Sequence, residues 1–345
     1  MSKIIHKPQE MLYGTAQVDG RGRPTEDRIA VRDLSGGARL FAVFDGHSGT
    51  GVVNELINGF ITKLQDAYAN VSDPAQISDM LKAQFIAEDK FLAQTIRKDS
   101  GSTATVAIVT PTHIYMAYVG DSPAILFDPA TGTILKEMGK HEPTLEAENN
   151  RIVAAGGTVE IDEQGTPRVD GSLMVSRAFG DFSLKFTGPP PMGADWTKFK
   201  VTADPDVEVW ERPAQGVLAL YSDGMVETHT SSLKPNSQVA VELKDALIQK
   251  SYNLVAAAKA SIEAHIAEDL SIPVSTVSTN IRKYTGDDLS VILIAVGTGV
   301  MQMTGGRPAP PIPPRNRLKT KKQKGGRRAV SLKRSRVIRS FTVSV

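Results

Sequence analysis

Short apolar runs bounded by turn-forming residues recur through the first 300 residues of the sequence. Runs of about four to eight apolar residues are typical of strands buried in a sheet core. The sequence predicts strands at 39–44, 104–110, 114–119, 124–127, 217–221 and 290–296. Pro-Thr-His at 111–113 and Asp-Pro-Ala-Thr-Gly at 128–132 separate neighbouring runs with turn residues, which predicts hairpins and therefore antiparallel pairing.

Three other segments carry apolar side chains at helical spacing. They lie at 53–64, at 77–91 and at 254–270, where Val255, Ala258, Ile262 and Ile266 form one stripe. Because the helical segments flank groups of antiparallel strands, the pattern predicts an α+β fold with sheets sandwiched by helices. A doubly wound parallel sheet does not fit this order.

The charge is distributed unevenly along the chain. The net charge is +2, but residues 305–345 hold 13 Lys and Arg and no acidic residue, so residues 1–304 carry a net charge of −11. The tail starts with closely spaced prolines, which favour an extended spacer. We therefore expect a folded domain over 1–304 and a Pro-rich, then basic, disordered tail over 305–345.

The composition excludes several classes of protein. The chain has no cysteine, which excludes a disulfide scaffold, a thiol nucleophile and a cysteine-ligated metal. No apolar run approaches the roughly 20 residues needed to span a bilayer. The N-terminus lacks the apolar stretch of a signal peptide. These features predict a soluble protein of the cytoplasm or nucleus, without a membrane span, and we expect a monomer.

Acidic residues stand at the ends of the apolar runs. Such positions are occupied by Glu26-Asp27, Asp45, Asp121, Asp223 and Asp287-Asp288. Any one of them is most simply a turn residue. Together they would bring like charges to the ends of adjacent strands, and a divalent cation would remove that repulsion. Oxygen ligands without cysteine favour Mg²⁺ or Mn²⁺. A metal site and a set of ordinary turns both remain open at this point.

The order of the motifs resembles the metal-dependent protein serine/threonine phosphatases of type 2C. The matching segments are 25–28 (TEDR), 41–49 (FAVFDGHSG), 101–104 (GSTA), 119–122 (VGDS), 151–152 (RI), 155–157 (AGG), 171–181 (GSLMVSRAFGD), 222–224 (SDG) and 286–291 (GDDLSV). The resemblance covers residues 12 to 298 and none of the tail. It implies a four-layer α-β-β-α sandwich, in which two antiparallel sheets are flanked by helices.

The resemblance also implies a ligand set and a reaction. Asp45 would bridge two Mg²⁺ or Mn²⁺ ions, with Asp223 and Asp287 at one and Glu26 and the Gly46 carbonyl at the other. Asp27 would hold metal-bound water, and Asp121 matches a position that binds a weaker third ion in some members. Water held between the two ions would hydrolyse phosphoserine or phosphothreonine in proteins without a covalent intermediate.

Three further residues are assigned from the same motifs. His47 matches the general acid of the family, although a histidine is otherwise most simply a hydrogen-bonded structural residue. The family places a phosphate-binding Arg where this chain has Gly22, so we expect Arg23 to take that role, with Arg21 as the alternative. Arg177 is expected to hold the site loops by ion pairing. The insert at 187–200 is expected to be a surface loop near the substrate.

Two alternatives stay open beside the phosphatase. One is a catalytically inactive relative that binds phosphoproteins or scaffolds a partner, and the other is a metal-dependent nuclease localised by its tail. The basic tail fits a nuclear-import signal, a polyanion-binding arm, a segment that folds back on the acidic domain, or a solvated chain without a function.

Overall fold

The computed structural model of the chain describes residues 11–20, 24–96, 98–227, 233–281, 284, 286–299 and 303–304. The predicted tail over 305–345, and with it the domain boundary, lies outside these residues. So do Arg21 and Arg23. These assignments stay predictions.

Strands and helices alternate in groups along the described part of the chain. The strands are β1 (Tyr13–Val18), β2 (Arg28–Asp33), β3 (Arg39–Phe44), β4 (Gly46–His47), β5 (Gly101–Ser102), β6 (Ala104–Val109), β7 (His113–Val119), β8 (Ala124–Phe127), β9 (Ile134–Glu137), β10 (Val159–Ile161), β11 (Pro167–Val169), β12 (Phe179–Gly180), β13 (Asp206–Glu211), β14 (Val217–Tyr221) and β15 (Leu289–Ala295). The helices are α1 (Gly51–Glu55), α2 (Ile61–Ala69), α3 (Ile77–Thr95), α4 (Glu146–Ala154), α5 (Phe182–Lys185), α6 (Asn236–Gln249), α7 (Leu254–Asp269) and α8 (Val277–Asn280), and a π-helical turn (Leu56–Phe60) joins α1 to α2.

Two five-stranded antiparallel sheets form the centre of the fold. One has the strand order β1-β15-β14-β8-β9 and the other β13-β7-β6-β3-β2. Their facing side chains form one apolar layer, which includes Phe41, Met116, Leu218 and Ile292. Because the central strands alternate between this layer and a helix-covered face, nearly all of their positions are buried.

Helices cover the outer face of each sheet. α6 and α7 pack on the sheet that contains β14 and β15, and α1, α2 and α3 pack on the sheet that contains β3 and β6. The predicted four-layer α-β-β-α sandwich is therefore confirmed. In the part of the chain that the structure describes, no helix is both long and apolar enough to cross a membrane.

The predicted strands agree with the structure to within one residue at each end, and both predicted hairpins are present as β6–β7 and β8–β9. The sequence pattern did not predict β1, β13 or α6. β13 reads Asp-Val-Glu-Val-Trp-Glu and lies at the edge of its sheet, where among the described strands it pairs with β7 alone. Most of its positions keep some exposure to solvent, so its sequence carries charged residues and no continuous apolar run. The insert at 187–200 is a loop, as predicted, and its Trp196 packs on Phe199 with ring centroids 5.4 Å apart.

Candidate active site

The acidic strand ends meet at one edge of the sandwich. In one sheet Arg28 pairs with Phe44, so Glu26 and Asp27, which precede β2, lie beside Asp45, which follows β3. In the other sheet Tyr221 pairs with Val291, so Asp223 lies beside the residues that precede β15. The antiparallel registers therefore bring together acidic residues that are up to about 260 positions apart in the sequence.

Asp288 connects the two sheets at this edge. Its side chain is buried, and its two carboxylate oxygens accept hydrogen bonds from Gly20 N at 2.7 Å and from Glu26 N at 2.8 Å. A carboxylate has two acceptor oxygens where an amide has one, so a single side chain can accept both of these bonds. Asp288 thus fixes the loop between β1 and β2, a role that the sequence did not reveal.

Gly46 shows how closely the loops approach one another. A Cβ atom at this position would lie 2.7 Å from the carbonyl oxygen of Glu26, which is closer than two such atoms can come. Only glycine lets the chain after Asp45 pass this close to Glu26. The close approach brings two of the predicted ligands together, Glu26 and the Gly46 carbonyl.

The carboxylates at this edge are crowded and poorly compensated. The carboxylate oxygens of Asp27 are buried and accept no hydrogen bond from the described residues. Burial raises the pKa of Asp27 to about 8; the Ser290 and Ser222 hydroxyls oppose this rise, and the charges of Asp288 and Asp223 add to it. An ionised carboxylate in such surroundings is costly unless a cation joins it.

Asp45 and Asp121 share this environment. Burial raises the pKa of Asp45 well above its ordinary value, and the charges of Asp223, Asp27 and Asp121, with a hydrogen bond to Asp223, raise it further. Burial also raises the pKa of Asp121 to about 6. Asp45 nevertheless keeps partial solvent exposure, so the edge is open to an ion or a substrate.

The chemistry of these residues fits a hard divalent cation. Buried carboxylate oxygens without a hydrogen bond, together with a main-chain carbonyl, are the donors that Mg²⁺ and Mn²⁺ accept. Among the described residues, no three acidic or histidine side chains lie close enough together to form a coordination sphere in their present rotamers. The set of ligands predicted from the sequence therefore stays a prediction, although its residues lie at one edge.

His47 lies beside this edge and pairs with a residue that received no role from the sequence. Its Nε2 atom lies 2.8 and 2.9 Å from the two carboxylate oxygens of Asp181. Burial lowers the pKa of His47, but the hydrogen bond and charge of Asp181, with the charges of Asp121 and Glu26, outweigh it and leave the pKa above its ordinary value. The neighbouring carboxylates therefore favour the protonated imidazole. Asp181 is the last residue of the 171–181 motif, and its place in that motif was the signal from which the sequence could have identified it.

Arg177 has the ion-pairing role that the sequence predicted. It donates to Glu148 Oε1 at 2.7 Å and to Asp206 Oδ1 at 2.9 Å. Glu148 also accepts hydrogen bonds from Arg151 at 2.6 Å and from the Ser176 hydroxyl at 2.5 Å. These bonds hold the 171–181 segment against α4, so Arg177 acts on the loop and does not face the carboxylate edge.

The chain is similar to phosphatases along most of its folded length. A family model described as protein phosphatase 2C matches residues 13–260. The human probable protein phosphatase 1N is 33% identical over 229 residues, which cover 63% of this chain and 50% of that protein. Protein phosphatase ppm-1.A of Caenorhabditis elegans is 33% identical over 227 residues, covering 60% and 45%. This chain thus spans about half the length of these relatives.

Solved structures share the fold at low sequence identity. A phosphatase from Toxoplasma gondii superposes with a TM-score of 0.68 at 21% identity, covering 85% of this chain and 96% of that one. A C. elegans sex determining protein superposes with a TM-score of 0.62 at 18% identity, covering 84% and 66%. The family match extends over the greater part of the sequence, including the segments of Glu26, Asp45 and Asp223. The chain belongs to the protein phosphatase 2C family, which is metal-dependent.

Proposed function

We propose that this protein is a serine/threonine protein phosphatase that hydrolyses phosphoserine and phosphothreonine with two Mg²⁺ or Mn²⁺ ions and a water held between them, without a covalent intermediate. The observation that carries the proposal is the convergence of acidic strand ends at one edge, where the pKa values of Asp27, Asp45 and Asp121 are raised. Such shifted groups cluster at functional sites because cations or substrates complete them.

Each acidic residue has a place in this proposal. Asp45 would bridge the two ions, with Asp223 and Asp287 completing one site and Glu26 and the Gly46 carbonyl the other. Asp27 would hold water at the ions, and Asp121 would take a weaker third ion. When bound, the cations supply the charge that lowers the pKa of the shared water and neutralises the phosphate. Side-chain rotations at the edge would be needed to complete the ligand set.

His47 would supply the proton that the leaving group needs. The P–O bond to the seryl or threonyl oxygen breaks with its electron pair going to that oxygen, while a water oxygen bonds to phosphorus and releases its proton to solvent. Because His47 Nε2 is held by Asp181, the imidazolium would deliver the proton on Nδ1 to the leaving oxygen. The raised pKa of His47 keeps more of the imidazole protonated near neutral pH.

The same proposal covers the substrate, the oligomeric state, the cellular location and the basic tail. The substrates would be phosphoproteins, and Arg23, or Arg21 beside it, would bind the phosphate. The protein would act as a monomer in the cytoplasm or nucleus. The basic tail would bind polyanions or the acidic domain. An inactive scaffold is the alternative function, and the presence of Glu26, Asp45, His47, Asp223 and Asp287 together disfavours it.

One assay distinguishes the enzyme from the scaffold. We expect the full chain to hydrolyse a phosphothreonine peptide with Mn²⁺, and to lose that activity in EDTA. Asp45→Ala should lower kcat more than about a hundredfold, since even residues that only orient metal ligands are commonly worth 10–100-fold. Glu263→Gln on the outer helix α7 is the matched carboxylate control and should keep wild-type activity. Activity that survives EDTA or the Asp45→Ala substitution would reject the metal mechanism.

A further inference from the structure

A lysine and an aspartate form a fully buried ion pair beside β12, the short strand that precedes Asp181. Asp89 lies on α3 and Lys185 ends α5, and their side chains are 1% and 0% exposed. Lys185 Nζ donates to Asp89 Oδ2 at 2.5 Å. A buried pair of this kind commonly stabilises a fold no better than apolar side chains of the same shape, because both charges lose their hydration. Its presence beside β12 therefore points to a role other than stability.

Both members of the pair bind the short strand that leads to Asp181. Asp89 Oδ1 accepts a hydrogen bond from Gly180 N at 2.9 Å, and Lys185 Nζ donates to the carbonyl oxygen of Ala178 at 2.9 Å. The pair therefore holds the backbone on either side of Phe179. The hydrogen bonds of the Lys185 ammonium group to described residues go to Asp89 and to the residue that precedes this strand.

The strand held in this way presents Asp181 to His47. In the small sheet β12-β5-β4, Gly180 and His47 both lie opposite Gly101. A Cβ atom at Gly101 would lie 2.1 Å from Asp181 Oδ2 and 2.2 Å from His47 Nε2, so the two side chains meet directly over this glycine. A small displacement of β12 would therefore open the contact between Asp181 and His47.

The backbone of Asp181 also needs support from its surroundings. Its φ of 49° and ψ of 44° lie in the left-handed region, which is unfavourable for residues with a side chain. Asp181 N donates to the carbonyl oxygen of Ser100 at 3.0 Å, which anchors one side of the turn. The bonds of Asp89 and Lys185 anchor the residues just before it. Conformations of this kind persist only where the surrounding structure holds them.

We propose that Asp89 and Lys185 are positioning residues that hold Asp181 in register with His47, so that the His47 ring is oriented towards the leaving oxygen of the substrate. This inference rests on the proposed phosphatase function and deepens it. The pair itself touches neither substrate nor metal. Loss of the Asp89–Lys185 pair should impair proton transfer to the leaving group. The attack of water on phosphorus should not be affected.

Two substrates separate these effects. The p-nitrophenolate anion leaves p-nitrophenyl phosphate without needing a proton, whereas the alkoxide of phosphothreonine needs one. In the full chain with Mn²⁺, we expect Asp89→Asn/Lys185→Met to lower kcat about tenfold on a phosphothreonine peptide and less than about twofold on p-nitrophenyl phosphate, since general acid catalysis contributes roughly 10²–10⁴-fold. KM for both substrates should stay near the wild-type value.

Two further variants make the test specific. Asp181→Asn should show the same selective loss, and combining it with the double substitution should add no further loss because both act through one contact. Glu88→Gln/Lys63→Met is the matched control. Glu88 is the residue before Asp89 on α3, and its carboxylate pairs with Lys63 at 2.7 Å without a hydrogen bond to β12. Removing this pair should leave the ratio of peptide to p-nitrophenyl phosphate activity unchanged.

The outcomes decide between the possibilities. A selective loss on the peptide, shared with Asp181→Asn, supports the proposal. An equal loss on both substrates, or no loss on either, overturns it. Asp89→Asn alone keeps an acceptor for Gly180 N and is the milder variant; if it and the double variant both lose all activity, the pair serves the fold only and the proposal is wrong. A wild-type chain inactive on both substrates with Mn²⁺ would instead reject the phosphatase function.

Discussion

Two groups of buried carboxylates lie in this fold, and they differ in what surrounds them. Around Glu148 the chain supplies Arg151, Arg177 and the Ser176 hydroxyl, each within 2.7 Å of a carboxylate oxygen. Around Asp27 it supplies the Ser290 and Ser222 hydroxyls and the negative charges of Asp288 and Asp223, and no hydrogen bond of good geometry reaches the Asp27 oxygens from the described residues. The two side chains are equally hidden from water, with exposed fractions of 2% and 1%.

The pKa values follow these surroundings. Burial alone would raise the pKa of Glu148, but Arg177, Arg151 and Ser176 outweigh it and lower the pKa to about 2. Burial raises the pKa of Asp27 to about 8, and the hydroxyls near it do not reverse the shift. A buried carboxylate thus stabilises a fold when the chain itself provides the cation, and costs stability when the cation must come from solution. The second arrangement is typical of a functional site.

The largest change in stability should come from removing the carboxylate of Glu148, which Arg151 and Arg177 share. Glu148→Gln leaves Arg151 and Arg177 without their shared partner, and we expect the free energy of unfolding to fall by about 3–5 kcal/mol. Urea denaturation followed by circular dichroism measures this. Glu146→Gln in the exposed first turn of the same helix is the control and should change it by less than about 0.5 kcal/mol. Equal effects of the two substitutions would show that burial does not matter at this cluster.

Acid should remove the same stabilisation gradually. The pKa of Glu148 is lower in the fold than its ordinary value of 4.5, so its contribution is complete above pH 4.5 and is lost as the pH falls towards about 2. We expect up to about 3 kcal/mol to disappear in this window. Urea midpoints of the wild type and Glu148→Gln, measured from pH 6 to pH 2, should converge at the acid end. Parallel curves would contradict the assignment.

Removing a carboxylate from the acidic edge should raise the stability of the metal-free protein instead of lowering it. Asp27→Asn removes a buried negative charge that faces other carboxylates, and in EDTA we expect the free energy of unfolding to rise by about 1–3 kcal/mol. Thermal unfolding near pH 8 without metal is the measurement. Because the wild-type pKa is raised to about 8, the gain should shrink as the pH falls and Asp27 takes up a proton. A destabilised Asp27→Asn protein would show that its charge is compensated in the fold.

The smallest effect is expected at an ion pair that is only partly buried. Lys259 and Glu263 are one helical turn apart on α7, with 3.7 Å between Nζ and Oε1. Glu263→Gln should lower the free energy of unfolding by less than about 0.5 kcal/mol. A value as large as that of Glu148→Gln would mean that charge pairing, and not the full burial of Glu148, explains the effect at the first cluster.

The fold was largely predictable because local patterns carry it. The alternation of short apolar runs with turn residues identified six central strands and both hairpins, since a strand buried on both faces needs apolar residues throughout. β13 was missed because an edge strand with an exposed face can alternate Val with Glu. The helix over 53–64 was found by its periodicity, but its π-helical turn at Leu56–Phe60 leaves no trace in that pattern.

The site was predictable only in part. The acidic residues at strand ends were visible because each ends or begins an apolar run. Asp181 and Asp288 were not assigned their contacts, because each partner lies more than 100 residues away: His47 for the first, Gly20 and Glu26 for the second. Sequence spacing holds no record of which distant loops meet.

Sequence alone determined the types of side-chain chemistry available to this protein: carboxylates at the strand ends, a histidine next to one of them and no thiol. It also determined the order of the strands along the chain. Tertiary structure decided which carboxylates receive a cation from the chain and which do not, as the contrast between Glu148 and Asp27 shows. The reason is physical: a charge costs little until it is buried, and burial and pairing exist only once distant segments have packed together.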